Sequence, residues 1–175
     1  MNYLIKNMGE IRLRPARISD MDLIFQWAND DECRKNSFHI EKIDYEDHVK
    51  WFQSKLNTKQ CDMFIVCRGE MPIGQIRLDY EGKKAIISYS VAKEERGKGY
   101  GKIMLQLLEQ EVKNQPTKID TLEGLVKEQN IASQKKFEEM GYSKQKMENC
   151  YCYTKKIDIN KDNNLQCFKN VKNKR

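Results

Sequence analysis

A glycine-rich stretch near the middle of the chain carries the residues best suited to chemistry. Its members are Arg96, Gly97, Lys98, Gly99, Tyr100, Gly101 and Lys102. The three alternating glycines let the backbone approach a ligand closely, and the helical run that follows would offer the unpaired N–H groups of a helix start. The two lysines add positive charge that suits an anion. The stretch therefore predicts a binding site for the phosphate or pyrophosphate of a phosphorylated cofactor.

The spacing of these glycines excludes two common nucleotide loops. A Rossmann loop needs G-x-G-x-x-G, and a P-loop needs a glycine where Arg96 stands and Ser or Thr where Ile103 stands. The pattern R-x-x-G-x-G, formed by Arg96, Gly99 and Gly101, instead resembles the acetyl-CoA pyrophosphate loop of the GCN5-related N-acetyltransferases, the GNAT superfamily. If the glycines are considered alone, the alternative interpretation of this stretch is a flexible turn.

A second motif follows a predicted strand, as in that superfamily. It reads N-x-x-S-x-x-x-F-x-x-x-G-Y, and its fixed members are Asn130, Ser133, Phe137, Gly141 and Tyr142. The resemblance implies that Asn130 contacts the pantetheine arm of acetyl-CoA and that Ser133 lies near the cofactor. Lys136, on the same predicted helix, is also assigned to the cofactor. Read from the residues alone, Asn130 caps the helix and Phe137 packs in the core, and the two roles of Asn130 are compatible.

Acyl transfer from a thioester needs a neutral amine, a donor for the oxyanion and a proton for the departing sulfur. A backbone N–H near Val91 is the expected oxyanion donor. The resemblance places the usual tyrosine acid at position 137, where phenylalanine has no proton to give. Tyr142, Tyr151 and Tyr153 are substitutes, of which Tyr142 is taken into the predicted catalytic set. Protonation of the CoA thiolate by solvent is the other option.

The base that deprotonates the amine is expected on a strand beside the glycine loop. Many relatives carry a glutamate near the position where this chain has Ile86, so Glu123 on the adjacent strand is the first candidate. A surface carboxylate is the alternative for Glu123. Ser88 and Ser90 are expected near the thioester, where they could order a water, although ordinary strand serines fit as well. His48 is another candidate base, because its ordinary pKa lies near neutrality.

The N-terminal half shows a finer resemblance, carried by residues 13–16, 27–30, 34–38, 48–52 and 73–77. This series looks like the nucleotide-sugar N-acetyltransferases of the pseudaminic-acid route, which acetylate the 4-amino group of a UDP-4-amino-4,6-dideoxy sugar. Acetyltransferases that act on protein N-termini, polyamines or antibiotics are the alternative, and some of them share these segments. A CoA-binding module without catalysis is the alternative of another class.

Recognition of the acceptor is expected from the first two helices and their connection. Arg34 is predicted to bind a diphosphate bidentately. Asn36 is predicted to contact sugar hydroxyls, and Phe38 or Trp51 to stack on a uracil ring. His48 is predicted to line the acceptor cleft. The alternatives are a surface cation for Arg34 and core packing for Phe38 and Trp51.

These residues need an α/β scaffold of the α+β kind. Alternating and helical runs predict the order β-α-α-β-β-β-α-β-α-β, with one or two strands at the end. The order resembles the GNAT fold, a mixed central sheet splayed near its middle and flanked by helices. A polar loop at 29–31 ends the first helix, and the second begins near Asp44. Residues 1–156 are expected to form one GNAT domain, and residues 157–175 a basic, disordered tail.

The composition suits one globular domain, with 175 residues that are 39% apolar and 33% charged. No apolar run approaches the roughly 20 residues of a membrane span and no secretory h-region is evident, so the cytoplasm is the expected location. Six cysteines without a C-x-x-C pair, together with two histidines, argue against a metal site and for reduced thiols. Much of the net charge of +6 lies in the tail, where a solvated end is favoured over nucleic-acid binding. The sequence leaves open whether the protein forms a homodimer.

Overall fold

The computed structural model describes residues 10–115 and 119–157 of the chain. Its helices and strands are, in order, β1 (Ile11–Pro15), α1 (Met21–Ala28), α2 (Asp31–Asn36), α3 (Tyr45–Asn57), β2 (Cys61–Arg68), β3 (Met71–Glu81), β4 (Lys84–Val91), α4 (Tyr100–Asn114), β5 (Thr121–Lys127), α5 (Ile131–Glu139), β6 (Ser143–Lys146) and β7 (Cys150–Lys156). The predicted tail lies outside the described residues, with one exception. Ile157 is 5% exposed and packs in the core, so the folded domain extends past residue 156.

One seven-stranded sheet organises the described residues. The strand order is β1-β2-β3-β4-β5-β7-β6, and the last two strands form the antiparallel pair that ends the chain order. Every neighbouring pair is antiparallel except β4 and β5, which run parallel and are connected through α4. A parallel connection requires such a crossover element. The predicted mixed sheet flanked by helices is confirmed.

The sheet opens between β4 and β5. These strands pair from Lys84↔Thr121 to Ile87↔Gly124, after which both continue without pairing to each other. The continuing parts are residues 88–91 of β4 and 125–127 of β5. Backbone N–H and C=O groups require partners, so the opening presents polar backbone that an extended ligand can bind. The predicted splay in the middle of the sheet is therefore present.

Strand β2 is covered on both faces. Ile65 and its alternate neighbours pack with Ile24 of α1 and Phe52 of α3, whereas Phe64 and Val66 join the larger core that α4 and α5 cover. Side chains of a strand alternate between faces, and a strand buried on both sides therefore needs an unbroken apolar run. The run from Met63 to Cys67 supplies it and fixes β2 between two layers of helices.

Helix α2 stands where the sequence analysis predicts only polar loop. Asp30 caps it by accepting a hydrogen bond from the Cys33 backbone N–H at 3.2 Å. Asp31 and Glu32 occupy its first turn and basic residues its last, which complements the helix dipole. Six residues are too few to show a helical apolar period, so the capping signal was the only one available.

Candidate active site

A cavity of about 940 Å³ lies at the opening between β4 and β5. Its walls come from the glycine-rich stretch, from β3, β4 and β5, from α5, and from α1, α2 and α3 with their connections. Most of the predicted cofactor loop and all five predicted acceptor residues therefore border one common space.

The glycine-rich stretch has the backbone that an anion site needs. Gly97 and Gly99 have φ of 75° and 85°, in the left-handed region that favours glycine. Gly99 is the N-cap of α4, and no side chain caps that helix start. The first N–H groups of α4 are thus left for a ligand, and phosphate binds at such helix N-termini. The loop fits the pyrophosphate of acetyl-CoA.

Arg96 holds this loop in place through its side chain. The guanidinium lies 2.5 Å from an Asp30 carboxylate oxygen and 3.1 Å from one of Glu32, and its Nε donates to the Val91 carbonyl at 3.2 Å. Asp30 is the residue that caps α2. Arg96 therefore joins the cofactor loop to the end of β4 and to the acceptor side of the cavity.

Of the other residues predicted to bind the cofactor, some line the cavity and others have side chains that are bonded within the protein. Tyr100 is buried, and its hydroxyl accepts a hydrogen bond from Arg68 at 2.8 Å, so its backbone rather than its ring is available to the phosphates. Lys98 pairs with Glu95 at 3.1 Å. Lys102 and Lys136 both approach Glu139, at 3.7 and 3.2 Å, and of these two only Lys136 lines the cavity.

The second motif lies on α5, beside the glycine-rich stretch, where a Cβ on Gly101 would be 3.5 Å from Lys136 Cγ. Asn130 caps α5 by accepting the Ser133 backbone N–H at 3.1 Å, and both residues line the cavity. The Ser133 Oγ is 3.0 Å from the hydroxyl of Tyr89, which comes from β4. Phe137 is 2% exposed and stacks on Tyr153, as the core interpretation predicted.

Four polar side chains form the floor of the acceptor half. They are two directly opposed pairs on β3 and β4, Gln75 with Ser90 and Arg77 with Ser88. In each pair a side-chain nitrogen lies 3.4 Å from the serine Oγ. The Gln75 Oε1 is buried and has no hydrogen-bond partner among the described residues. The floor can therefore accept hydrogen bonds from a ligand or an ordered water.

Arg77 gives this floor a positive charge. Its side chain is 18% exposed, and its guanidinium carbon lies 5.1 Å from the centre of the Trp51 ring. Asp79 is bonded by both Arg77 and Lys55, at 2.8 and 2.6 Å. Burial acts to raise the pKa of Asp79, but these two cations outweigh it and lower the pKa. One carboxylate shared by two cations leaves one net positive charge beside the cavity.

His48 lies above the floor and is almost fully buried against Phe52 and Trp51. Its Nε2 is 3.1 Å from the Met21 carbonyl oxygen. A carbonyl can only accept, so Nε2 carries the hydrogen and the lone pair is on Nδ1. Burial lowers the pKa of His48, which keeps the ring neutral at pH 7. His48 is among the residues that line the cavity.

Arg34 lines the cavity, but most of its guanidinium donors are already used in hydrogen bonds within the protein. Its Nε donates to the Ala28 carbonyl at 2.6 Å, and its two terminal nitrogens donate to the His39 and Glu41 carbonyls and to the Ser37 hydroxyl. Four of the five guanidinium donors are thus used. A bidentate contact to a diphosphate, as predicted, would require breaking some of these bonds.

The remaining acceptor residues surround the cavity mouth. Asn36 and Phe38 both line it, and Phe38 is 53% exposed rather than packed in the core. Trp51 lies between the smaller core and the Arg77 guanidinium. The Lys127 ammonium donates to the Lys35 and Ser37 carbonyls and ties this segment to β5.

Two predicted catalytic residues lie outside the cavity lining. Glu123 pairs with Lys84 at 3.3 Å and stands opposite Ile86, in the part of the sheet where β4 and β5 are still joined. Tyr142 follows the far end of α5, and burial raises the pKa of its phenol. The third predicted residue, Ser88, does line the cavity.

The sequence analysis missed Gln75, Arg77 and Tyr89 as site residues. The alternation of β3 puts Gln75, Arg77 and Asp79 on one face of a strand in mid-sheet, and a charge at such a position is a signal of function or pairing. Tyr89 had no comparable signal, because its partner lies 44 residues away in the chain.

Comparison with known proteins agrees with this geometry. Residues 10–143 match the family model of the acetyltransferase (GNAT) domain. The chain belongs to this family and is an acetyl-CoA-dependent N-acetyltransferase. A search of curated proteins gave no significant match. The described residues contain no cluster of three or more potential metal ligands and no helix able to cross a membrane.

Solved structures share the fold at low sequence identity. Spermidine N-acetyltransferase from Vibrio cholerae, in complex with CoA and spermine, is 14% identical with a TM-score of 0.76, covering 84% of this chain and 95% of that chain. The acetyltransferase of Salmonella typhimurium that modifies the N-terminal serine of ribosomal protein L7/L12 is 16% identical with a TM-score of 0.71 over 85% and 95%. An aminoglycoside acetyltransferase in complex with coenzyme A is 15% identical with a TM-score of 0.72 over 84% and 95%.

Proposed function

We propose that the acceptor is the 4-amino group of a UDP-4-amino-4,6-dideoxy sugar. The observation that carries this proposal is the net positive floor at Arg77, because a nucleotide sugar brings a diphosphate and a polyamine brings only cations. Guanidinium groups bind phosphate oxygens in a fork geometry. The resemblance of the N-terminal segments to nucleotide-sugar acetyltransferases supports the same acceptor. UDP-sugars and acetyl-CoA meet in the cytoplasm, where we place the reaction.

Each part of the acceptor has a partner in this proposal. Arg77 replaces Arg34 as the contact for the diphosphate, since most donors of Arg34 are used within the protein. Phe38, exposed at the mouth, provides an apolar surface for the uracil ring. Asn36 faces the cavity and provides an amide for sugar hydroxyls. Trp51 supports Arg77 from below.

The cofactor is held by the loop and by α5. Backbone N–H groups of residues 97–101 bind the pyrophosphate, Lys136 adds positive charge, and Asn130 faces the pantetheine arm. When bound, acetyl-CoA supplies an activated acetyl group. A backbone N–H near Val91 faces the opening and donates to the oxyanion.

We propose His48 as the base in place of Glu123. Its ring is neutral and its lone pair is on Nδ1, whereas Glu123 lies outside the cavity lining and is bonded to Lys84. Ser88 and Ser90 order a water on the floor that passes the amine proton toward the ring. The neutral amine then attacks.

A comparison of acceptors tests the proposal. Purified protein with acetyl-CoA is given a UDP-4-amino-4,6-dideoxy sugar, spermidine, an aminoglycoside or a peptide with N-terminal serine, and CoA release is followed. We expect the highest kcat/KM with the nucleotide sugar. Turnover of any other class with none of the nucleotide sugar contradicts the proposal.

The substitution Arg77→Met tests the same proposal at one residue. A charged hydrogen bond to phosphate contributes roughly 1.5–3 kcal/mol. Its loss is expected to raise the KM for the nucleotide sugar by about 10- to 100-fold. Lys55→Met is the matched control, because it removes the same charge from the Asp79 cluster outside the cavity lining. Equal effects of the two substitutions would contradict a direct contact.

A cationic acceptor is the second candidate. Glu32 and Asp47 also line the cavity, and carboxylates of this kind bind amines. Glu32 is paired with Arg96, which leaves Asp47 at the mouth as the carboxylate more open to a ligand. Preferred turnover of spermidine or an aminoglycoside in the comparison above would select this candidate.

A further inference from the structure

We infer that Tyr89, together with Ser133, donates the proton that the departing sulfur of CoA receives. The Tyr89 hydroxyl and the Ser133 Oγ lie 3.0 Å apart, and both residues line the cavity. This role belongs to the acetyl transfer of the family and holds for any amine acceptor.

The two hydroxyls come from opposite walls of the opening. Tyr89 follows Ile87, the last residue of β4 that pairs with β5, and Ser133 lies in the first turn of α5. Asn130 holds the Ser133 backbone N–H and thereby fixes that turn. In a pair of hydroxyls one hydrogen is used between them and the other stays available. The pair therefore offers one O–H to a ligand in the opening.

The other tyrosines of the described residues are poorly placed to donate this proton. Tyr142 lies outside the cavity lining, and Tyr153 is buried and donates to Glu138 at 3.0 Å. The Tyr100 hydroxyl is bonded by Arg68 at the end of β2. Position 137 is phenylalanine, whose side chain has no proton to give. Tyr80 and Tyr151 do not line the cavity either, which leaves Tyr89 as the lining tyrosine of the described residues whose hydroxyl is not bonded by an arginine.

The protonation state suits an acid. Burial raises the pKa of Tyr89 above its ordinary value of about 10, and the hydrogen bond with Ser133 opposes this in part. The phenol is therefore protonated at neutral pH. Its proton is present before the reaction starts.

The step balances without another reactant. As the C–S bond breaks, its electron pair goes to sulfur, and the hydroxyl pair gives a proton to that sulfur. The proton that nitrogen loses as the amide forms returns to the pair through solvent. The sum is one acetyl group moved to nitrogen and one proton moved to sulfur.

The test compares Tyr89→Phe with Ser133→Ala and with Tyr45→Phe. Tyr45 is an exposed tyrosine whose hydroxyl bonds Asp22 outside the cavity lining, so it is the matched control. With whichever amine turns over fastest, Tyr89→Phe should lower kcat on the order of 10²-fold and leave the KM for acetyl-CoA unchanged. Ser133→Ala keeps the phenol and should lower kcat less. Unfolding temperatures confirm that the variants are folded.

A second readout needs no acceptor and no turnover. The absorbance of the CoA thiolate is titrated with pH in the bound state. A donor near sulfur lowers the thiol pKa, so Tyr89→Phe should raise that pKa toward the value of free CoA, and Tyr45→Phe should not.

Three results would overturn the inference. They are a kcat of Tyr89→Phe equal to that of the unsubstituted protein, a change confined to the KM for acetyl-CoA, or an unchanged thiol pKa. The thiol titration remains informative even if no nucleotide sugar is acetylated, so failure of the proposed acceptor and failure of this inference are distinct.

Discussion

At the scale of single residues, Gly124 and Phe137 form a matched pair at the point where β4 and β5 separate. A Cβ on Gly124 would lie 2.3 Å from Cζ of Phe137 and 2.7 Å from Cε1. The ring cannot move aside easily, because it stacks on Tyr153 and meets Tyr142 edge-on, with centroids 5.2 and 5.0 Å away. The outer part of the ring therefore packs closely against residue 124. This packing accounts for the glycine at position 124.

The substitution Gly124→Ala is therefore expected to destabilise the fold by about 1–3 kcal/mol, the usual cost of overpacking a core. Chemical unfolding measures it. The double variant with Phe137→Leu removes the ring that the new methyl meets, so its cost should be less than the sum of the two single costs. Gly101→Ala is the control, since its Cβ would meet atoms only at 3.5 Å or beyond. Additive costs in the double variant would contradict the matched pair.

At the scale of elements, one buried carboxylate links the first strand to the first helix. Asp20 accepts hydrogen bonds from both terminal nitrogens of Arg14 on β1, at 2.8 and 2.7 Å, and from the Arg17 backbone N–H at 2.7 Å. The hydrogen bond with Arg14 is the main cause that lowers the pKa of Asp20. This connection sets where α1, and the acceptor wall that follows it, begins.

We expect Asp20→Asn to cost about 1–3 kcal/mol at pH 7, as for the loss of a charged hydrogen bond. A carboxyl whose pKa is lower in the folded state stabilises it above its ordinary pKa, and this stabilisation is lost as pH falls through the folded value. The difference in unfolding free energy between the two proteins should therefore shrink at acid pH. Asp31→Asn, on an exposed carboxylate paired with Lys42, serves as the control. A difference that is constant with pH would contradict this account.

At the scale of the whole molecule, the site lies between the part of the sheet that ends in β4 and the part that begins with β5. Only a short stretch of strand pairing joins these two parts. β4 and β5 pair over four residues, from Lys84↔Thr121 to Ile87↔Gly124. Side chains make further links across the cavity. Arg96 reaches Asp30 and Glu32, and Lys127 reaches the carbonyls of Lys35 and Ser37 at the end of α2. These links position the acceptor wall relative to the cofactor loop.

The substitution Lys127→Met should loosen the acceptor wall without unfolding the protein. Hydrogen exchange of the amides in residues 33–38 should become faster, and the global free energy of unfolding should change by less than about 1 kcal/mol. Lys146→Met is the control, because Lys146 is exposed and forms a surface ion pair with Glu128 at 3.3 Å. Unchanged exchange in residues 33–38 would show that Lys127 does not hold this segment.

The amino-acid sequence by itself determined the parts that depend on neighbours in the chain. The positive φ of Gly97 and Gly99, the cap of α5 by Asn130 and the alternation of the strands are set by residues a few positions apart. They were sufficient to predict the family, the mixed splayed sheet and the cofactor loop. The short helix α2 is local too, but its six residues carry too little pattern.

Only the tertiary structure decided which side chains share the cavity and which are already occupied. Arg34 donates its hydrogen bonds to carbonyls that folding brings close to it. Glu123 lies in the closed part of the sheet, because the pairing of β4 with β5 continues one residue past it. Arg77 and Tyr89 enter the site through the opening of the sheet and through contacts with distant residues. Reactivity depends on distance and free hydrogen-bonding capacity, and long-range packing sets both.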